Sequence, residues 1–242
     1  MISIADSNIN LLEIRNVFKQ SLCRYTTDET KLDLFIDYAI EIKRMQGKLN
    51  LTSIKSDVDF AIKHFADSLE ASDHITSGTL LDIGTGAGFP GVPLSIMNSM
   101  LNTTLIDSVQ KKIAFISSTL INLKINNVRA VTGRAEMLGH DIHLRESFDY
   151  VTARAVTSLR ILLELAIPFL KVGGIFIVYK SDSYQEMADS LTAVKLLNCE
   201  VAATKHYMLD DKYKRTIFFI KKLEKTKDIY PRNYKKIVSK PL

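Results

Sequence analysis

The sequence is poor in the features that mark export, disulfide scaffolding or metal binding. Its 242 residues hold two cysteines, Cys23 and Cys199, which are far apart and form no C-x-x-C. Neither a disulfide framework nor a thiolate metal site is expected, and both read as reduced thiols. No run of roughly 18 apolar residues occurs, and Met1 to Tyr25 lacks the basic start and continuous apolar stretch of a signal peptide. Membrane spanning and export are disfavoured, which points to the cytoplasm. His140 and His143 share a polar loop with Asp141, a set too loose to hold a metal. Internal repeats and low-complexity blocks are absent, and no heptad or large apolar stripe asks for a partner, so a monomer is expected.

What is present is enough apolar material for a substantial core, 46% of residues, and a charge that is unevenly placed. Lys221 to Leu242 contains eight Lys or Arg against two acidic residues, while the first 220 residues hold 24 basic and 25 acidic side chains. Basicity is thus a property of the C-terminus, where Tyr230, Arg232 and Tyr234 interleave rings with cations. Arg232, Lys235 and Lys236 there suit phosphate contact and base stacking, and a merely solvated tail is the alternative. If the tail binds RNA, removing Lys225 to Leu242 weakens that binding and flattens its salt dependence.

Apolar spacing predicts helices over Asn8–Tyr25, Asp28–Gly47 and Ser56–Ala71, the last with Ser56 as N-cap and Asp57 and Asp59 in its first turn. Strands then alternate with helices. Strands are predicted at Thr79–Ile83, Thr103–Asp107, Val128–Thr132, Phe148–Ala153 and Gly174–Lys180, with helices at Pro90–Met100, Val109–Lys124, Leu159–Leu170 and Tyr184–Leu197. Such alternation implies parallel pairing through right-handed crossovers. Two closing strands, near Glu200–Met208 and Arg215–Lys222, flank the polar LDDKYK and read as an antiparallel hairpin. The expected fold is α/β, a mostly parallel seven-stranded sheet ending in that hairpin. It divides into a helical cap (1–77), one α/β domain (78–222) and a basic tail (223–242).

The stretch LLDIGTGAGFPG, Leu80 to Gly91, follows the first of these strands. Gly84, Gly86 and Gly88 are spaced G-x-G-x-G, and Phe89 stands where a dinucleotide fingerprint needs its third glycine. The register is wrong for NAD. Asp82, two residues earlier, would repel a pyrophosphate but suits a ligand rich in donors and positive charge, such as S-adenosylmethionine. Ligands of open α/β sheets lie beyond the carboxyl ends of the strands. Those ends supply Asp82, then Asp107 (placed for ribose hydroxyls), then Gly133-Arg134-Ala135-Glu136, Arg154 and Lys180. Arg154 suits a carboxylate or phosphate, with an ion pair to Glu136 as the plain alternative. Lys180 could steer an RNA backbone or snorkel at a strand end. His64, among Phe60, Phe65 and Ser68, reads as packed more readily than as catalytic, and Arg215 on the hairpin faces RNA or water.

Taken together, DIGTGAGFPGVPLSI, HFADSL at His64–Leu69, DSVQKKIAFI at Asp107–Ile116, GRAE at Gly133–Glu136, FDYVTARAV at Phe148–Val156 and the closing YPR and KPL resemble the small-subunit ribosomal RNA methyltransferase G family (RsmG, or glucose-inhibited division protein B). The resemblance spans most of the chain. It implies a Rossmann-like class I methyltransferase that moves a methyl group from S-adenosylmethionine to N7 of a guanine in 16S ribosomal RNA, free or in the small subunit. On the family pattern the cofactor contacts fall on Gly84, Phe89, Ala135, Glu136 and Arg154, with Asp107 at the ribose. Two departures stand out: Lys180-Ser181 replaces a Lys-Gly, and Asn233 to Val238 replaces a glycine-containing stretch.

Guanine N7 carries an in-plane lone pair and no proton, so its methylation needs no general base. The chain has TARA where amino-group methylases carry N-P-P-Y, and no cysteine near it for C5-cytosine chemistry. Arg154, Lys180 and His64 are the catalytic candidates, none with an obligatory proton-transfer role. A methyltransferase for a small molecule or protein, and a noncatalytic RNA-binding protein, remain as other classes.

Overall fold

The computed structural model describes residues 11–181 and 184–242. The start of the first expected helix, Asn8–Asn10, lies outside them. The chain begins with α1 (Leu11–Leu22) and α2 (Glu29–Met45). Asp28 caps α2 by accepting from the Thr30 and Lys31 amides at 2.9 and 3.3 Å, and Phe35, Tyr38 and Ile42 on its inner face are wholly buried. The third helix is composite: α3 (Asp57–Phe60), a π-helical turn over Ala61–Ala66, and α4 (Asp67–Leu69). Ser56 accepts from the Asp59 amide at its start.

From there strands and helices alternate: β1 (Gly78–Ile83), α5 (Gly91–Met97), β2 (Leu101–Asp107), α6 (Gln110–Asn122), β3 (Val128–Thr132), α7 (Ala135–Leu138), β4 (Phe148–Arg154), α8 (Leu159–Ala166), β5 (Leu170–Ser181), α9 (Tyr184–Leu196), β6 (Cys199–Leu209), β7 (Tyr213–Lys222) and α10 (Tyr234–Ser239). The seven strands lie in the order β3-β2-β1-β4-β5-β7-β6. The first five are parallel, and β7 runs antiparallel to both β5 and β6. Strand order reverses between β1 and β4, whose ends pair Ile83 with Ala153. A crevice for a ligand belongs at that switch point.

The N-terminal helices share one core with α5 and α6, in which Phe18, Phe35, Phe65, Phe89 and Ile116 meet. On the opposite face α8 and α9 bury Leu162, Leu163 and Val194 against Val151, Phe176 and Phe218. The sheet is covered on both sides, as its continuous apolar strands require.

Two segments differ from expectation. Helix α8 stops at Ala166, before Leu170, because Pro168 has no amide to donate and its ring clashes with the preceding turn; a 3-10 turn over Ile167–Phe169 leads directly into β5. The basic C-terminus is also no free tail. Arg232 donates from Nε and Nη2 to Glu164 at 2.7 and 2.6 Å, and its amide reaches the same carboxylate at 2.8 Å. Arg145 holds the Thr226 and Tyr230 carbonyls, Arg160 holds those of Pro241 and Leu242, and Ile237 is buried with Ile161 and Leu165.

Candidate active site

The glycine turn leaving β1 is built from below by Asp82. Its carboxylate is fully buried and accepts from Thr85 Oγ1 at 2.6 Å, Thr152 Oγ1 at 2.8 Å and the Gly91 amide at 3.2 Å. Burial pushes its pKa up to about 6, and these hydrogen bonds oppose the rise. Asp82 therefore organises the turn from inside and lines neither cavity described below, a correction to its expected place beside the ligand's positive charge. Gly84 adopts φ +64°, and a Cβ there would stand 2.7 Å from Val156 Cγ2. Gly88 also faces inward, against Tyr38, whose hydroxyl donates to the Ala87 carbonyl at 2.8 Å.

Two cavities meet at Gly84 and Lys112. The smaller, of about 300 Å³, is lined by Ile83, Ile106, Asp107, Ala135, Glu136, Val156, Leu165 and Tyr234. Asp107 accepts from the Gly86 amide at 3.0 Å and the Val109 amide at 2.9 Å, which leaves further lone pairs on its two oxygens. Glu136 pairs with Arg134, and the Arg134 guanidinium lies 4.5 Å above the Tyr234 ring. The smaller cavity thus offers a carboxylate with spare acceptor capacity beside apolar walls.

The larger cavity, of about 590 Å³, opens on the other side of Gly84 and is lined by Gly86, Phe89, Lys63, His64, Asp67, Arg154, Tyr179, Lys180, Glu186 and Arg215. Arg154, at the end of β4, reaches across to the cap: Nη1 donates to Asp67 Oδ2 at 2.8 Å and to the Lys63 and His64 carbonyls at 3.0 and 3.3 Å. Its partner is thus Asp67 and not Glu136. Both carbonyl acceptors belong to the π turn, a local geometry frequent at functional sites. Asp67 also accepts from the Tyr207 hydroxyl at 2.8 Å and lies 3.9 Å from Arg215 Nε. The next residue after Arg154, Ala155, takes the left-handed conformation at φ 56°, a strained geometry that recurs at functional sites.

His64 stacks on Phe89 with ring centroids 4.7 Å apart. Burial, with Arg154 nearby, drops its pKa to about 3, so the ring is neutral. Arg154 Nη2 can only donate, so Nδ1 accepts at 3.4 Å and Nε2 carries the hydrogen toward Thr52 Oγ1 at 2.8 Å. Lys180 donates to Glu186 Oε1 and to the Thr157 carbonyl, both at 2.7 Å. Arg215 and Lys63 flank the Tyr213 ring at 5.5 and 4.4 Å.

The structure thus gathers Gly84, Gly86, Phe89, Asp107, Ala135, Glu136, Arg154, Lys180, His64 and Arg215 around the two cavities. It sets Asp82 and Gly88 behind them, fastens Arg232 to Glu164, and leaves Lys235 and Lys236 exposed on α10. Sequence reasoning missed Asp67, Lys112 and Tyr234 as lining residues. Asp67 and Lys112 sat unremarked inside HFADSL and DSVQKKIAFI, and Tyr234 reads only as a ring among the C-terminal cations suited to RNA.

The reversal in strand order, the glycine turn beneath it and the antiparallel β7 define a Rossmann-like class I methyltransferase. The solved structure of M. jannaschii TYW2 in complex with AdoMet shares this fold, with a TM-score of 0.52 at 13% identity over 65% of this chain and 77% of that one. Residues 31–213 match the family model for rRNA small subunit methyltransferase G. Ribosomal RNA small subunit methyltransferase G of Pseudothermotoga lettingae is 40% identical over 233 residues, 95% of this chain and 99% of that one. Its counterpart from Clostridium beijerinckii is 38% identical over 213 residues, covering 86% and 89%. The chain belongs to the rRNA small subunit methyltransferase G family. No helix among the described residues is long and apolar enough to cross a membrane.

Proposed function

We propose that this protein transfers the methyl group of S-adenosylmethionine to N7 of a guanine in 16S ribosomal RNA, acting in the cytoplasm as a monomer on the RNA or the small ribosomal subunit. One observation carries the reading: the larger cavity has cations at its rim and, among the described residues that line it, each carboxylate and the one imidazole already accept a hydrogen bond from a neighbouring donor. Asp67 is held by Arg154 and Tyr207, Glu186 by Lys180 and the Leu159 amide, and His64 by Arg154 and Thr52. Such a site suits a nucleophile that arrives without a proton to lose, and guanine N7 is one.

The residues fit the cofactor. Asp107 would take the ribose hydroxyls, Ala135 and Glu136 the base, and the Gly84 backbone, Phe89 and Arg154 the amino-acid end; Gly86, Gly88 and Asp82 shape the turn. When bound, S-adenosylmethionine supplies a methyl group on a sulfonium, electrophilic without further activation. The chain's own contribution is alignment and exclusion of water, and orientation of reactants alone can be worth ~7–11 kcal/mol. The guanine must be looped out to enter, and Lys63, Lys112, Lys180 and Arg215 are set to draw in its phosphates. Incubating small subunits that lack the modification with label-bearing cofactor, followed by cleavage chemistry specific for N7-methylguanine, tests the assignment. Label in 16S RNA and a cut at one guanine are expected; RNA that stays unlabelled overturns it.

A further inference from the structure

Tyr234 is the first residue of the short helix α10, whose N-cap Asn233 accepts from the Lys235 amide. Its ring lines the smaller cavity together with Ala135 and Leu165 and packs with the cluster they share. The segment that carries it is fixed on both sides. Arg232 is locked to the wholly buried Glu164, the Pro231 carbonyl lies 2.8 Å from His140 Nε2, and Ile237 is fully buried against α8. The Arg134 guanidinium lies 4.5 Å from the ring centroid and is itself held by Glu136. Tyr234 is therefore a placed aromatic surface, partly buried, whose position no longer depends on a mobile terminus.

We propose that Tyr234 is a cofactor-binding residue: its ring closes the adenine end of the cavity and provides an aromatic face for the base, so that the C-terminal strap forms part of the cofactor site. The inference rests on the S-adenosylmethionine reading above. An aromatic face contributes to base binding by stacking and dispersion, which do not require the hydroxyl. Tyr234→Phe is then expected to bind S-adenosylhomocysteine as the wild type does, and Tyr234→Ala about tenfold more weakly. The exposed Lys235 and Lys236 lie on the same helix, and replacing both by Ala should leave nucleoside affinity unchanged.

Calorimetric titration with S-adenosylhomocysteine, without RNA, reads these affinities directly. The chain contains no tryptophan, so Tyr234→Trp adds a sole indole reporter that does not depend on how well the Ala variant folds. Its emission should shift on adding S-adenosylhomocysteine and stay constant on adding methionine. If wild type and Tyr234→Ala bind equally, or the indole is silent while the ligand binds, Tyr234 has no such role and the cofactor reading stands. If the wild type binds no S-adenosylhomocysteine, the cofactor reading itself fails and takes this inference with it.

Discussion

Gly84 has no room for a side chain. Its positive φ and the nearness of Val156 mean that Gly84→Ala must strain the backbone and push β4's following loop outward. The left-handed conformation alone costs about 1–2 kcal/mol for an L-residue, so a drop of at least that size is expected in urea unfolding, with loss of S-adenosylhomocysteine binding. Asp82 and His64 set opposing pH dependences. The folded-state pKa of Asp82 is raised to about 6 by burial, so the folded protein holds this proton more tightly than the unfolded chain does. Its contribution falls as pH rises from about 4 through 6, by about 3 kcal/mol for a two-unit shift. The folded-state pKa of His64 is depressed to about 3; its contribution is full above the unfolded pKa near 6.5 and lost as pH falls toward 3. Unfolding curves at pH 4, 5, 6 and 7 should therefore show Asp82→Asn steepening the rise of stability with pH and His64→Gln reversing or flattening it.

Among the elements, the C-terminal strap and α8 form a unit through Arg232 and Glu164. Deleting one member of a buried ion pair strands the other, at about 3–5 kcal/mol. Glu164→Ala is expected to lower stability by a value in that range, and a double-mutant cycle with Arg232→Ala should show strong coupling. The strands and most helices were legible in the sequence because their signals are local: alternation, apolar spacing, and caps such as Asp28 and Ser56. Pro168 was the legible stop that was passed over. The π turn over Ala61–Ala66 and the strap were not legible, since both depend on distant partners. Arg154 lies 87 residues in sequence from Asp67, and Arg232 lies 68 from Glu164. In the same way, the strand-end rule led to Asp107 and Arg154, whereas the inward turn of Asp82 is set by hydroxyls and an amide that only the fold brings together.

At the scale of the whole molecule, the cations proposed to face RNA lie in two places, the rim of the larger cavity with Lys63, Lys112 and Arg215, and the exposed face of α10 with Lys235 and Lys236. Deleting the C-terminus would confound the two effects, because it also tears out Arg232 and Ile237. Point changes separate them. Arg215→Ala, and Lys235→Ala with Lys236→Ala, should each weaken RNA binding and reduce the salt slope by roughly 0.7–0.9 per lost phosphate contact, measured by filter binding from low to high salt. An unaltered slope would remove that residue from the RNA surface. The two cavities draw their walls from Leu51 near the start of the chain to Tyr234 near its end. Domains are made N-terminus first, so a nascent chain emerging from the ribosome carries every strand before it owns a finished pocket. Truncation ahead of Tyr234 would keep all seven strands and remove one wall of the smaller cavity.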